Sequence, residues 1–286
     1  MTWKTHGQTN RLLGYPEDTR LLIVNADDLG MCNATNEAII QALHAGLVQS
    51  TSLMVPCPWA SHAMRFLQEH PEISFGVHLT VLSDAMDYYW GPITCREKVP
   101  TLVNQSGYFY RYEQMNEFLN RVDLLQLELE FRAQIGRVLE AGLKPAQLDW
   151  HTLRINGRED IYDLMFRLAR EYRLALRVFG KSFISKLQSQ GFPTNDYDFL
   201  DSSSLDPATK ASRYAMLLRT LPPGLSEWAV HPGIDCSELQ ALEPDGNHFR
   251  QTDYDFWVSQ QAKDLIDQEG IILLDYRALQ DAWNAV

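Results

Sequence analysis

Asp27 and Asp28 stand side by side at the end of an apolar run, Leu21-Leu22-Ile23-Val24-Asn25-Ala26, and are followed by Leu29-Gly30. A run of this kind fills a buried strand of a parallel sheet. Burying one unpaired carboxylate is costly and burying two neighbours is worse, so the pair implies a bound cation, a shared proton or an escape to solvent. Asp28 acting as the cap of the next helix is the plainer alternative. Three further apolar stretches each stop on a histidine: Ile73–Val77 on His78, Ala146–Trp150 on His151, and Ser226–Val230 on His231, which precedes Pro232-Gly233. Two histidines and a carboxylate form a recurrent ligand set for a divalent ion, with positions left open for water and substrate. Zinc favours such a set, and cobalt, nickel and manganese tolerate it. Taken singly, His78 reads as a core imidazole and His231 as a turn residue. His151 lies two residues after Asp149, on the same strand face, where a simple hydrogen bond would account for it.

Four strand-end placements must be brought together by the elements that carry them. Helical spacing over Asn33–Leu47, Trp59–Glu69, Glu113–Ala141, Asp160–Tyr172, Ile184–Gln190, Ala208–Leu221 and Asp253–Glu269 alternates with short strand-like runs. These are Leu21–Ala26, which stops on the two acids, Ser50–Val55, Ile73–Thr80, Ala146–His151, Leu174–Val178, Tyr197–Leu200, Ser226–His231 and Ile271–Asp275. Such alternation is the mark of βαβ units and a parallel sheet. The expected fold is α/β: a single-domain, distorted (β/α) barrel of predominantly parallel strands spanning 1–286, with residues 1–20 an irregular N-terminal arm. All strand C-termini of such a barrel face one rim, where its sites are built. The rhythm breaks over Val81–Tyr112, which holds Tyr88, Tyr89, Trp90, Tyr108, Phe109 and Tyr110; a segment this long reads as a lid or as a surface excursion packed by its own aromatics. His6, His44, His62, His70 and His248 fall on the arm, on helices or at breakers and read as surface.

Composition narrows the classes. The 286 residues are 45% hydrophobic and 22% charged, as in ordinary globular proteins. A net charge of -12 provides no footprint for nucleic acid and does not favour an anionic membrane. No apolar run approaches the roughly 20 residues of a membrane span, and Met1–Arg20 lacks the apolar core of a secretory signal. Cys32, Cys57, Cys95 and Cys236 are scattered, which fits neither a zinc ribbon nor a disulfide framework and points to a reducing, cytoplasmic setting.

Ala26-Asp27-Asp28-Leu29-Gly30, Gly76-Val77-His78-Leu79-Thr80, Leu148-Asp149-Trp150-His151 and His231-Pro232-Gly233 resemble, in order, the four motifs of the YdjC-like carbohydrate deacetylases, the family of the chitooligosaccharide deacetylases. The resemblance runs from about Leu21 to the C-terminus, through Pro244–Asp255 and Ile271–Leu279. It implies a distorted (β/α) barrel in which Asp28, His78 and His151 bind one divalent metal ion, Asp27 is the catalytic base and His231 the acid. Zinc or magnesium is the first expectation for the ion, with cobalt, nickel or manganese as alternatives. The third motif continues Thr152-Leu153-Arg154 where many members carry further histidines, so substrate contacts at that part of the rim are expected to differ.

The expected activity is removal of the N-acetyl group from an amino sugar or short oligosaccharide. The expected partner is thus a small carbohydrate, with no nucleic acid or membrane partner and a homodimer left open. Two other classes compete. A metal-dependent sugar isomerase or epimerase could use the same rim, but would call for more carboxylates at later strand ends, where only Asp149 and Asp275 qualify. A non-catalytic carbohydrate-binding barrel could keep the metal alone, and would have no use for Asp27 and His231.

Overall fold

The computed structural model describes residues 7–85, 87–155, 157–244 and 246–286; His6 and the start of the N-terminal arm lie outside them. Ten strands occur among the described residues: β1 (Arg20–Leu29), β2 (Ser50–Leu53), β3 (Ser74–Leu79), β4 (Leu82–Ser83), β5 (Tyr110–Arg111), β6 (Gln147–Trp150), β7 (Ala175–Leu176), β8 (Leu200–Asp201), β9 (Gly224–Val230) and β10 (Ile272–Leu273). Eight of them form one sheet in the order β7-β6-β3-β2-β1-β9-β8, with β10 also on β1, and every pairing is parallel. The expected α/β class with parallel strands is what the chain adopts.

The sheet must curl. Four steps separate β7 from β1, about 19 Å in a flat sheet at the usual strand spacing. Yet Arg177, just after β7, donates to both oxygens of Asp27 on β1 at 2.7 and 2.9 Å and to Glu227 on β9 at 2.6 Å. A guanidinium arm cannot span 19 Å, so the sheet is bent into a half-barrel. Among the described residues no pairing joins β7 to β8, and the barrel stays open there.

Helices pack around this sheet. The arm expected to be irregular contains α1 (Gln8–Leu13), in which Thr9 and Asn10 are fully buried. Composition marks such residues as surface, but Asn10 Nδ2 donates to Pro16 O and Thr19 O, and Thr9 Oγ1 donates to Thr194 O. Next come α2 (Asn33–Ala45) and α3 (Ala60–Glu69), near their expected positions. Glu113–Ala141, whose spacing allows one long helix or two, forms two, α4 (Met115–Arg121) and α5 (Leu124–Glu140), because the Asp123 carboxylate caps α5 by accepting from Gln126 N at 3.0 Å. Then follow α6 (Glu159–Tyr172), α7 (Lys181–Ser189), α8 (Lys210–Arg219) and α9 (Ser237–Leu242). The long helix expected over Asp253–Glu269 is instead two, α10 (Asn247–Trp257) and α11 (Gln260–Gln268), with Ser259 Oγ accepting from Ala262 N at 3.1 Å; α12 (Tyr276–Trp283) is the last helix. In both cases a polar side chain offers the backbone a start signal that the apolar spacing runs straight through.

The Val81–Tyr112 excursion is packed down. Trp90 and Phe109 are buried, β4 pairs with β5, and Glu130 of α5 accepts the backbone N–H groups of Ile93 and Thr94 at 3.0 and 2.9 Å. Met86, within it, lies outside the described residues. No helix among the described residues is long and apolar enough to cross a membrane, and all four cysteines are free.

Gly30 ends the β1 turn at φ +96°, and a Cβ there would lie 3.1 Å from Ala60 Cα. Both the left-handed backbone and the close approach of α3 exclude a side chain. Gly30→Ala is expected to cost about 1–3 kcal/mol of unfolding free energy, read from urea midpoints at unchanged slope.

Candidate metal centre at the strand ends

Adjacent residues of a regular strand point to opposite faces, so Asp27 and Asp28 should not share a site. They do, because β1 is irregular at this point. Its register against β2 shifts between Ala26 and Leu29, and Asp28 adopts φ +72°, a left-handed conformation that side-chain-bearing residues seldom take. The result is that His78 Nε2 lies 3.9 Å from Asp27 and 3.4 Å from Asp28.

Parallel register brings in the histidines. His78 on β3 pairs with Asp149 on β6, and Asp149 Oδ1 holds His78 Nδ1 at 2.8 Å while its other oxygen accepts from Ser52 Oγ at 2.6 Å. This leaves Nε2 as the ring atom facing Asp28. His151 directly follows β6; its Nδ1 lies 3.1 Å from Asp28 Oδ1, and its Nε2 lies 3.0 Å from Asp84 Oδ1 of the excursion. Thr152, at φ +51°, turns the chain away immediately afterwards. Asp28, His78 and His151 are all buried, each offers one ligand atom, and these atoms lie within 4.8 Å of one another.

The electrostatics match a cation. Asp27, Asp28, Asp84 and Asp149 face two guanidinium groups, Arg177 and Arg250, and each arginine is shared with a glutamate, Glu227 or Glu243. Burial works against the charge of Asp27, but the Arg177 guanidinium and then His78 outweigh it and hold the carboxyl below its usual range. Asp28 is likewise buried and is held well below its ordinary value, first by Arg250, whose Nη1 forms an ion pair with Oδ2 at 2.9 Å. Burial also opposes protonation of the histidines, yet Asp149 and Asp27 raise His78 to about 9, and Asp84 and Asp28 raise His151 to about 10. Negative charge in excess, with two imidazoles converging on it, is a donor set that fits a divalent ion.

His231 directly follows β9. Since Val230 pairs with Ala26, it stands beside Asp27 at the rim, close enough to act on the charge of Asp27. Its Nδ1 lies 2.9 Å from Ser202 Oγ. The remaining described histidines keep away from the site: His44 and His248 are exposed, His70 pairs with Glu72, and His62 meets Asn36. Asp275 caps α12 by accepting from Arg277 N. Arg177, Arg250, Asp84 and Ser52 belong to the site as well. A lone charge inside the apolar run Leu174–Val178 was a signal for Arg177; Arg250 and Asp84 carry none, since each looks like an ordinary surface residue of a helix or loop.

Together these features define a class: a parallel α/β half-barrel with a candidate divalent-metal centre at the carboxyl ends of its strands. Within that class, the chain belongs to the YdjC-like family, whose model matches residues 21–268. It is 27% identical to a carbohydrate deacetylase of Thermoanaerobacter pseudethanolicus over 91% of this chain and 100% of that protein. It is 31% identical to a carbohydrate deacetylase of Geobacillus stearothermophilus over 74% of this chain and 79% of that protein. Among solved structures, that of a candidate cellobiose-phosphate cleavage protein from Enterococcus faecalis superimposes with a TM-score of 0.76 at 28% identity, covering 91% of this chain and 99% of the other.

The purified protein is expected to bind about one divalent ion, and His78→Ala or His151→Ala to abolish that binding, as read by elemental analysis. Because both imidazoles titrate near 9–10 in the metal-free protein, ion uptake at pH 7 displaces protons and apparent affinity rises with pH towards that range. Titration calorimetry in buffers of different ionisation enthalpy counts the protons released; none released at pH 7 would contradict the assignment.

Proposed function

We propose that the protein hydrolyses the N-acetyl amide of an amino sugar or short oligosaccharide, the whole chain acting as one catalytic domain. The observation that carries this reading is the meeting of Asp28, His78 and His151 beside an ionised, arginine-clamped Asp27, in a chain of the YdjC-like family. The relatives named carbohydrate deacetylases support the substrate class.

Asp28, His78 and His151 would hold the ion, with zinc or magnesium the first candidates. When bound, a divalent ion supplies Lewis acidity, lowering the pKa of water and polarising the amide carbonyl. Asp27 takes the proton of the attacking water. The Arg177 clamp keeps its carboxylate ionised and fixed in direction, and Asn25 Nδ2, donating at 2.7 Å, removes a further degree of freedom. The clamp also lowers the basicity of Asp27, so its contribution comes from placement more than from proton affinity. His231, on the neighbouring strand, gives a proton to the departing amine nitrogen, which leaves poorly as an anion.

The isomerase reading loses support, because the carboxylates it would recruit are otherwise engaged: Asp149 orients His78 and Asp275 caps a helix. A pure binding barrel would leave Asp27 only its structural tie to Arg177.

Acetate release from N-acetylated sugars, set against their non-acetylated counterparts, tests the activity directly. Asp27→Asn should keep the ion and lower turnover by roughly 10²–10⁴-fold, whereas Asp28→Asn should weaken ion binding. His231→Ala should keep the ion, lose rate on the amide, and recover much of it on an activated ester of the same acyl group, whose leaving group needs no acid. Loss of metal in Asp27→Asn, or equal losses on amide and ester in His231→Ala, would remove these roles.

A further inference from the structure

Behind His231 lies a chain of buried polar groups for which the chemistry above has no use. Ser202 opens the turn after β8, whose Asp201 pairs with Ala229 of β9, so the turn comes up against His231. Ser202 Oγ lies 2.9 Å from His231 Nδ1 and donates to Asp253 Oδ2 of α10 at 2.5 Å. The same carboxylate oxygen accepts the His231 backbone N–H at 2.8 Å. Its other oxygen accepts the Tyr214 hydroxyl at 2.8 Å and lies 3.0 Å from the Lys210 ammonium, both on one face of α8. Ser202, Lys210, Tyr214 and Asp253 are all fully buried, and the Tyr214 ring stacks on Trp228 and Phe256.

Donor capacity fixes the direction of every proton. Asp253 meets donors on both oxygens and acts as the acceptor throughout. A serine hydroxyl has one proton, and that of Ser202 goes to Asp253, so Ser202 offers His231 only lone pairs. His231 Nδ1 must therefore carry a hydrogen, and Nε2 is the nitrogen left free for exchange.

We propose that Ser202, held by Asp253, is a positioning residue that fixes His231 in the Nδ1–H tautomer and aims Nε2 at the leaving nitrogen. This rests on the reading of His231 as the acid. In the transfer, the Nε2–H bond of the imidazolium breaks and the proton joins the amine nitrogen, which takes the electron pair of the severed C–N bond. The histidine that remains is neutral with its hydrogen on Nδ1, the form the Ser202 oxygen already accommodates. Free neutral histidine prefers the opposite tautomer, so the hydroxyl reverses an intrinsic bias. Lys210 neutralises Asp253 at the rear, so Asp253 reaches His231 as direction, and the carboxylate nearest Nδ1 beyond Ser202 is that of Asp201, 4.0 Å away at the turn.

Long-range proton–nitrogen NMR of the zinc-loaded, ¹⁵N-histidine-labelled protein reads the tautomer, the His231 signal being assigned by its loss in His231→Ala. Wild type should show a protonated Nδ1 and a bare Nε2 once His231 is neutral; a neutral ring with hydrogen on Nε2 overturns the proposal without recourse to any variant. Ser202→Ala should shift the population towards Nε2–H and lower kcat on the amide roughly ten- to a hundredfold, with KM and ester hydrolysis nearly unchanged. Ser202→Thr, which keeps the hydroxyl, should restore both tautomer and rate. An unchanged tautomer in Ser202→Ala, or a changed tautomer with full amide activity, refutes the positioning role. A silent His231→Ala alongside the expected wild-type tautomer would instead place the fault with the acid assignment.

Discussion

Two adjacent carboxylates on one side of one strand are the constraint from which the rest of the rim follows. A regular β1 would send Asp27 and Asp28 to opposite faces, and the irregularity that unites them places like charges next to each other in a buried setting. The cationic and imidazole groups at the site answer that charge. Arg177 takes both oxygens of Asp27, Arg250 takes one oxygen of Asp28, and the two imidazoles approach what remains. The division of labour proposed for the aspartates thus has a structural rationale: the one with both oxygens occupied by a guanidinium is poorly placed to ligate, and the one with an oxygen turned to the histidines is well placed.

The histidines owe their orientation to residues outside the ligand set. Asp149 secures the far nitrogen of His78 and Asp84 that of His151, each fixing which ring atom faces Asp28. Asp84 arrives on the excursion between β3 and α4, so this segment serves the site as well as covering the sheet. Its attachment through Glu130 and the burial of Trp90, whose ring lies 6.0 Å from that of His151, hold it firmly in place.

Much of this was legible in the sequence because periodicity and burial leave marks there. Apolar runs stopping on Asp27-Asp28, His78, His151 and His231 located four strand ends, and parallel topology made those ends neighbours. The positions that escaped are those whose significance is purely spatial. Arg250 sits on a helix whose neighbouring residues give no hint that it turns inward, and Ser202 belongs to a run of three serines that reads as any polar turn. The N-terminal arm misled for a related reason: Thr9 is buried against the distant backbone of Thr194 and Asn10 against that of its own following turn, partners that composition cannot register. The break between α10 and α11 escaped because it is set by a single capping side chain, Ser259, lying within a longer amphipathic pattern.

Arg177 joins two properties that most folds keep apart. By reaching from the end of β7 to β1 and β9 it ties the free edge of the sheet to the centre, and with the same atoms it orients Asp27. Curvature and the proposed reactivity therefore share a fastening. A shorter or uncharged side chain there would loosen the edge, leaving it only its pairing with β6, and would leave Asn25 to hold the carboxylate, so the shape of the scaffold and the chemistry proposed for its rim lean on the same side chain.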